Sequence, residues 1–349
     1  MKHNMLPSTE LVAQLYRHFP YEAHEHIHSL TAPPEQAPLH DVPGEFVPYV
    51  RANKGASRPV IYVPGFGEGI TNKVPFATEL AAQGCDVILP GQNRSGLVQP
   101  SKDKNAAVET QARNIIAVAT HAGVLKSFDM VAHSFGGLVA EEVVKQLQEI
   151  DIDTSEMNVV LLASAGVAKE KSYRNLLGRW FRFIGSEWGP DNKEVPDRTG
   201  EMGKASLRNL AANPPQTAAE ARALRHERIN LRGLCSKVGQ VVLACYKDDK
   251  MYPPEQTYSA VEEVSGDAAL EVPENEEAFI ENLYVITPVA FGNPNMGEKV
   301  GRKPGAVHDD EQFNSRRVVN AIVSFLLPNP KLKLSTEYED PKTWFQYLR

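Results

Sequence analysis

The sequence predicts an α/β fold, with a mostly parallel twisted sheet, helices on both of its faces and an inserted helical segment. Three observations predict it. Short apolar runs recur along the chain, such as Pro59 to Val63, Asn158 to Ala163 and Gln240 to Cys245, without the polar alternation of a half-exposed strand. Runs of that kind suit strands buried on both faces. Segments with apolar residues at helical spacing separate them, and strands alternating with helices build a parallel sheet. Several runs end in turn residues, as at Pro64-Gly65-Phe66-Gly67 and Pro90-Gly91-Gln92-Asn93, at the strand ends where ligands of such sheets bind.

Taken in order, residues 1–56 read as an N-terminal leader and the first strands. The leader, up to about residue 40, is irregular in pattern and holds six of the ten histidines: His3, His18, His24, His26, His28 and His40. A strand would present the alternating His24, His26 and His28 on one face. A metal site there lacks further ligands such as cysteines, so a solvated or docked leader is the preferred reading. The core covers 57–166 and 239–328. Its strands are Pro59–Val63, Cys85–Leu89, Phe128–Ala132, Asn158–Ala163, Gln240–Cys245 and Leu283–Ile286. Helices are expected near Val74–Gln83, over Asn105–His121 with Val108, Ala112, Ile115, Ile116 and Ala119 on one face, after Gly136, and over Arg317–Leu327.

About seventy-five residues separate Ala163 from Gln240, far more than a crossover needs. Residues 167–238 therefore read as a helical lid. Tyr173, Leu176, Leu177, Trp180, Phe181 and Ile184 make one apolar helix face, either packed on the core or lining an apolar pocket. Asn213-Pro214-Pro215 breaks the lid, and Thr217 is placed to cap a helix running to about Ile229. Between Ile286 and His308 lies a Gly- and Pro-rich loop with Lys299, Arg302 and Lys303. Residues 329–349 form a tail with Trp344, Phe345, Tyr347 and Leu348.

Composition narrows the partners. A net charge of −7 and a pI near 5.9 argue against nucleic acid. No apolar run is long enough to span a membrane, and the N-terminus lacks the apolar centre of a signal peptide. Three cysteines, Cys85, Cys235 and Cys245, have no metal-like spacing and suit a cytoplasmic location as buried free thiols. No metal or organic cofactor is implied, and the oligomeric state stays open.

The chemistry centres on Met130-Val131-Ala132-His133-Ser134-Phe135-Gly136-Gly137. An apolar strand runs into a helix, and one serine stands on the turn between them, as in a nucleophile elbow. A serine needs a base, and the base needs an orienting carboxylate. His308 is the sole histidine C-terminal to His226, and it precedes the last helix. Asp249 follows the Gln240–Cys245 strand and is favoured as the acid, with Asp248 as runner-up; both also fit ordinary turn aspartates. Two backbone N–H groups would hold the developing oxyanion: that of Phe135, after the serine, and that of Phe66, in the glycine turn after Val63.

Over about residues 57–328 this framework resembles the α/β-hydrolase fold proteins with a helical lid. Val63-Pro64-Gly65-Phe66-Gly67 is similar to the family's H-G-x-G turn, with Pro64 in place of histidine. Pro90-Gly91-Gln92-Asn93-Arg94-Ser95 is similar to its P-G-x-G-x-S turn, with Asn93 in place of glycine. Ala132 stands for the first glycine of G-x-S-x-G. The chain order Ser134, Asp249, His308 is that of the family. The resemblance implies a serine hydrolase that cleaves a carboxylic ester or related acyl bond of a small molecule. Where the apolar lid face lines the pocket, Trp180 and Phe181 are its candidate substrate contacts. The fold also hosts C–C bond hydrolases, acyltransferases, amidases, lyases and non-enzymatic binding proteins.

Overall fold

A computed structural model of the chain describes residues 9–39, 44–91, 106–167, 206–212, 214–245, 249, 251–252, 256–257, 259–261, 283–286 and 315–327. Its strands are β1 (Glu35–Pro38), β2 (Phe46–Ala52), β3 (Pro59–Val63), β4 (Asp86–Pro90), β5 (Asp129–His133), β6 (Asn158–Leu162), β7 (Gln240–Ala244) and β8 (Leu283–Ile286). They form one eight-stranded sheet in the order β1-β2-β4-β3-β5-β6-β7-β8. The pairs β1–β2 and β2–β4 are antiparallel, and all the others are parallel.

The strand runs are apolar throughout because the sheet divides two cores. On one face Val60, Tyr62, Val87, Val131, Val160 and Val242 pack against α1 (Thr9–His18), α2 (His24–Thr31), α3 (Ile70–Gln83) and a C-terminal helix, Ser315–Leu326. On the other, Ile61, Val63, Met130, Ala132, Leu161 and Leu243 meet α4 (Ala106–His121), α5 (Gly136–Glu149), α6 (Pro214–His226) and α7 (Leu231–Cys235). Each fully buried aliphatic side chain contributes roughly 1.5–3 kcal/mol. At the other end of the strands Arg51 Nε and Nη2 grip Asp86 Oδ1 and Oδ2 at 2.8 and 2.6 Å, tying antiparallel β2 to β4.

Three local expectations need correction. The histidines at 24, 26 and 28 lie in a helix, α2, so residues two apart point in different directions instead of sharing a strand face. The leader as a whole is docked, one of the two readings preferred for it: Leu15, Phe19, Ala23, Ile27 and Leu30 are all buried in the first core. The helix expected near Val74 starts a turn earlier, at Ile70. Asn72 Oδ1 accepts the Gly69 N–H at 3.1 Å and the Asn72 N–H returns to Gly69 O at 3.1 Å, closing that turn ahead of Pro75. Finally, α6 begins at Pro214, since the first helical turn tolerates residues without an N–H. Thr217 does not cap it; its hydroxyl donates to Leu210 O at 2.7 Å.

Cys85, Cys235 and Cys245 are buried, as expected, and form no disulfide among the described residues. Burial pushes the Cys85 and Cys235 thiols up to about 12. Among the described residues no helix is long and apolar enough to cross a membrane, and no group of three or more His, Cys, Asp or Glu is placed to hold a metal.

Candidate active site

β5 ends at His133, α5 begins at Gly136, and Ser134 makes the turn between them with φ of 51°. Left-handed backbone at a residue with a Cβ costs about 1–3 kcal/mol, so the surroundings must enforce it. They do. Ser134 N–H donates to Leu162 O at 3.0 Å, and Ser134 O accepts from Gly137 N at 3.1 Å and Ala165 N at 2.9 Å. Gly136 is required by close approach: a Cβ there would collide with the Val63 carbonyl oxygen and sit 3.0 Å from Pro64 O. The start of α5 thus presses on the end of β3 and brings the elbow beside the turn that follows β3.

That turn runs from Gly65 to Glu68, closed by Glu68 N–H to Gly65 O at 3.2 Å, with Gly67 at φ of 74°. Positive φ at the third position is the type II pattern, which favours glycine. Phe66 stands second in the turn. Among the described residues neither the Phe66 nor the Phe135 N–H has a hydrogen-bond partner. The Phe135 N–H also lies at the positive end of the fourteen-residue α5.

Asp249 lies just beyond β7, two strands from the elbow. The register aligns His133 with Leu162 and Leu162 with Ala244, so both residues leave the sheet at the same edge. Two strand spacings are about 10 Å. Asp249 is 3% exposed, and its Oδ1 accepts from Met251 N at 2.7 Å and Tyr252 N at 2.9 Å, which fixes the carboxylate. His308, Asp248, Trp180 and Phe181 lie outside the described residues.

Comparison of the sequence with protein-family models and with curated proteins finds no match. Solved structures do match. A thermophilic esterase from Thermogutta terrifontis is similar at a TM-score of 0.55, with 19% identity over 84% of this chain and 98% of that one. An alpha/beta hydrolase fold protein from Chitinophaga pinensis matches at 0.54, with 15% identity over 85% and 98%. This chain has the α/β-hydrolase fold. A bromoperoxidase from Bacillus anthracis is similar too, at 0.53, with 14% identity over 84% and 99%. Likeness at this level gives the fold alone, since one fold hosts many chemistries.

Two arrangements at this edge of the α/β-hydrolase fold were not expected. Glu68, Lys73 and His133 form a buried charged cluster. Glu68 Oε1 lies 2.8 Å from Lys73 Nζ and 2.7 Å from His133 Nδ1, and Glu68 Oε2 accepts the Gly65 N–H at 2.5 Å. Burial alone would raise the Glu68 carboxyl, but the Lys73 ammonium, and after it His133, outweigh burial and hold it well below the usual carboxylate range. The signal in the sequence was Glu68 directly after the glycine turn, with Lys73 five residues on; neither residue fits an apolar core pattern. Second, the helical segment 206–212, from the insertion between β6 and β7, sits on the Gly65–Glu68 turn. Asn209 Nδ2 donates to Gly67 O at 3.1 Å, Asn72 Nδ2 donates to Ser206 Oγ at 3.2 Å, and Leu210 covers Gly67. Separation by about 140 residues hid that contact from the sequence.

Proposed function

We propose that the chain is a serine hydrolase that cleaves a carboxylic ester or related acyl bond through an acyl-enzyme. The observation that carries this reading is Ser134, held in left-handed backbone between β5 and α5 beside two N–H groups unbonded among the described residues. Ser134 attacks the carbonyl carbon. The Phe66 and Phe135 N–H groups receive the oxyanion, each worth roughly 10²–10³ in rate. His308 takes the serine proton and returns it to the leaving group. Asp249 orients His308 and stabilises its cation. Water then attacks the acyl-enzyme, with His308 as the base, and releases the acid.

The catalytic core comprises 57–166 and 239–328, and residues 167–238 form a lid over it. Trp180 and Phe181 of the lid line the acyl side of the pocket. The substrate is a small acyl compound met in the cytoplasm, and the reaction uses no metal or organic cofactor. The esterase among the similar structures supports ester cleavage.

The test is fluorophosphonate labelling followed by intact-mass measurement. The parent should gain one adduct on Ser134, Ser134→Ala none, and His308→Ala should react at least about a hundredfold more slowly. A folded parent that takes no adduct defeats the reading. Products formed with water, alcohol and amine acceptors then separate hydrolysis from acyl transfer.

A further inference from the structure

The buried Glu68 cluster has no place in the acyl-transfer scheme, yet it bonds to chain next to each candidate oxyanion donor. Its carboxylate oxygens divide their work. Oε2 takes the N–H of Gly65, the residue before Phe66, and Oε1 takes His133 Nδ1, one residue before Ser134 and two before Phe135. One carboxylate therefore bridges the turn after β3 and the end of β5. The bridge is tight: a Cβ on Gly65 would lie 3.0 Å from Glu68 Cδ and 3.2 Å from His133 Nδ1. Glu68, Lys73 and His133 are 5%, 1% and 1% exposed, so water does not compete for these bonds. Lys73 supplies the compensating charge and stacks over Tyr62, 5.3 Å from the ring centroid.

A buried ion pair is a poor device for stability alone, because well-packed apolar side chains of similar volume serve as well or better. It is a good device for fixing a distance, because charge-assisted hydrogen bonds are short and directional. Oxyanion donors act only when aimed at the position of the developing charge, and misplacement of about 1 Å costs about a hundredfold in rate.

We infer that Glu68 is a positioning residue, whose carboxylate sets the spacing between the Phe66 and Phe135 N–H donors by binding the Gly65 N–H and His133 Nδ1. Lys73 acts through it as the buried counter-charge. The inference rests on the serine-hydrolase reading above, and it places no substrate contact on Glu68.

Two variants test it with a short-chain nitrophenyl ester and with the rate of fluorophosphonate adduct formation on Ser134. Glu68→Gln combined with Lys73→Met removes the carboxylate and its ammonium counter-charge together. Glu68→Asp keeps the charges and withdraws the carboxylate by one methylene. Urea unfolding confirms that each is folded, and Glu68→Asp stands as the test if the paired variant does not fold. The expected result is a kcat lowered about thirtyfold to a hundredfold in the paired variant and about tenfold or more in Glu68→Asp. KM should stay within about threefold, and labelling should slow in proportion, because the donors act in the transition state and not in substrate binding. A merely structural role would shift the urea midpoint and leave the kcat of the folded protein untouched. Parent kcat in either folded variant overturns the inference while leaving the serine-hydrolase reading intact. A parent protein that is never labelled on Ser134 overturns both.

Discussion

Gly136→Ala adds one methyl group at the point where α5 meets β3, and its cost can be worked from the packing. The new Cβ would overlap the Val63 carbonyl oxygen and lie 3.0 Å from both Pro64 O and Val63 C, against 3.4 Å or more for an ordinary contact. All three atoms are backbone, so no rotamer change relieves the clash. Either the start of α5 or the turn after β3 must retreat by about 1 Å, and interiors packed to crystal density leave little room for that. Overpacking costs typically 1–3 kcal/mol; rigid backbone neighbours put this variant at about 3 kcal/mol. With a slope near 3 kcal/mol/M, the urea midpoint should fall by about 1 M. The same displacement separates Phe66 from Phe135, so kcat/KM for an ester should fall about a hundredfold in the protein that remains folded. Gly123→Ala is the control. Gly123 has φ of 72° and nothing within 4 Å of its added Cβ, so it carries backbone strain alone, about 1–2 kcal/mol, at unchanged kcat/KM. A Gly136→Ala protein with the parent midpoint and parent kcat/KM would refute the packing argument.

Two further outcomes follow from strain and burial. Ser134→Gly and Ser134→Ala both remove the hydroxyl, but only glycine relaxes the φ of 51°; the glycine variant should be more stable than the alanine variant by about 1 kcal/mol, read from urea midpoints, and equal stability would mean that the turn is unstrained. Asp129 is buried, with Asn158 N donating to its Oδ1 at 2.7 Å; Arg58 Nε stands 3.2 Å from Oδ1 without hydrogen-bond alignment, and Oδ2 has no hydrogen-bond partner among the described residues. Burial, only partly offset by the Asn158 N–H and Arg58, pushes its carboxyl up to about 6. The folded state then binds the proton more tightly than the unfolded chain, so this group's contribution to stability falls as pH rises through about 4 to 6, by about 3 kcal/mol. Asp129→Asn should remove that falling component from a pH series of unfolding free energies, and an unchanged series would show that Asp129 does not titrate there.

The sheet was legible because burial on both faces leaves runs such as Val159 to Leu162 no freedom to be polar, and their brevity and flanking turn residues separate them from buried helices. Ser134 was legible because a strand, a serine and small residues at Gly136 and Gly137 are the local requirements of the turn, and the elbow is contiguous. Helix ends were less so: Ile70 begins α3 through an Asn72 bond back to Gly69 that a search for Ser, Thr or Asp caps overlooks. The docked leader was foreseen as one of two readings, but its helices were missed: His24, His26 and His28 drew attention to period two, while Leu15, Phe19, Ala23, Ile27 and Leu30 carried the helical period that the core uses. Glu68 and Lys73 resisted sequence reading for a different reason. Their meaning lies in His133, sixty-five residues from Glu68, and no local pattern encodes that distance.

The segment 206–212 gives the α/β-hydrolase core a neighbour it depends on. Asn209 bonds the carbonyl of Gly67, and Leu210 fills the space above it, so the turn that presents Phe66 is completed by chain belonging to the insertion. On the serine-hydrolase reading proposed above, a change that breaks the Asn209 bond or removes the Leu210 side chain would loosen the turn that carries the Phe66 N–H and slow the reaction without touching Ser134. Ser206, Asn209 and Leu210 are thus a foot that this part of the insertion sets on the core.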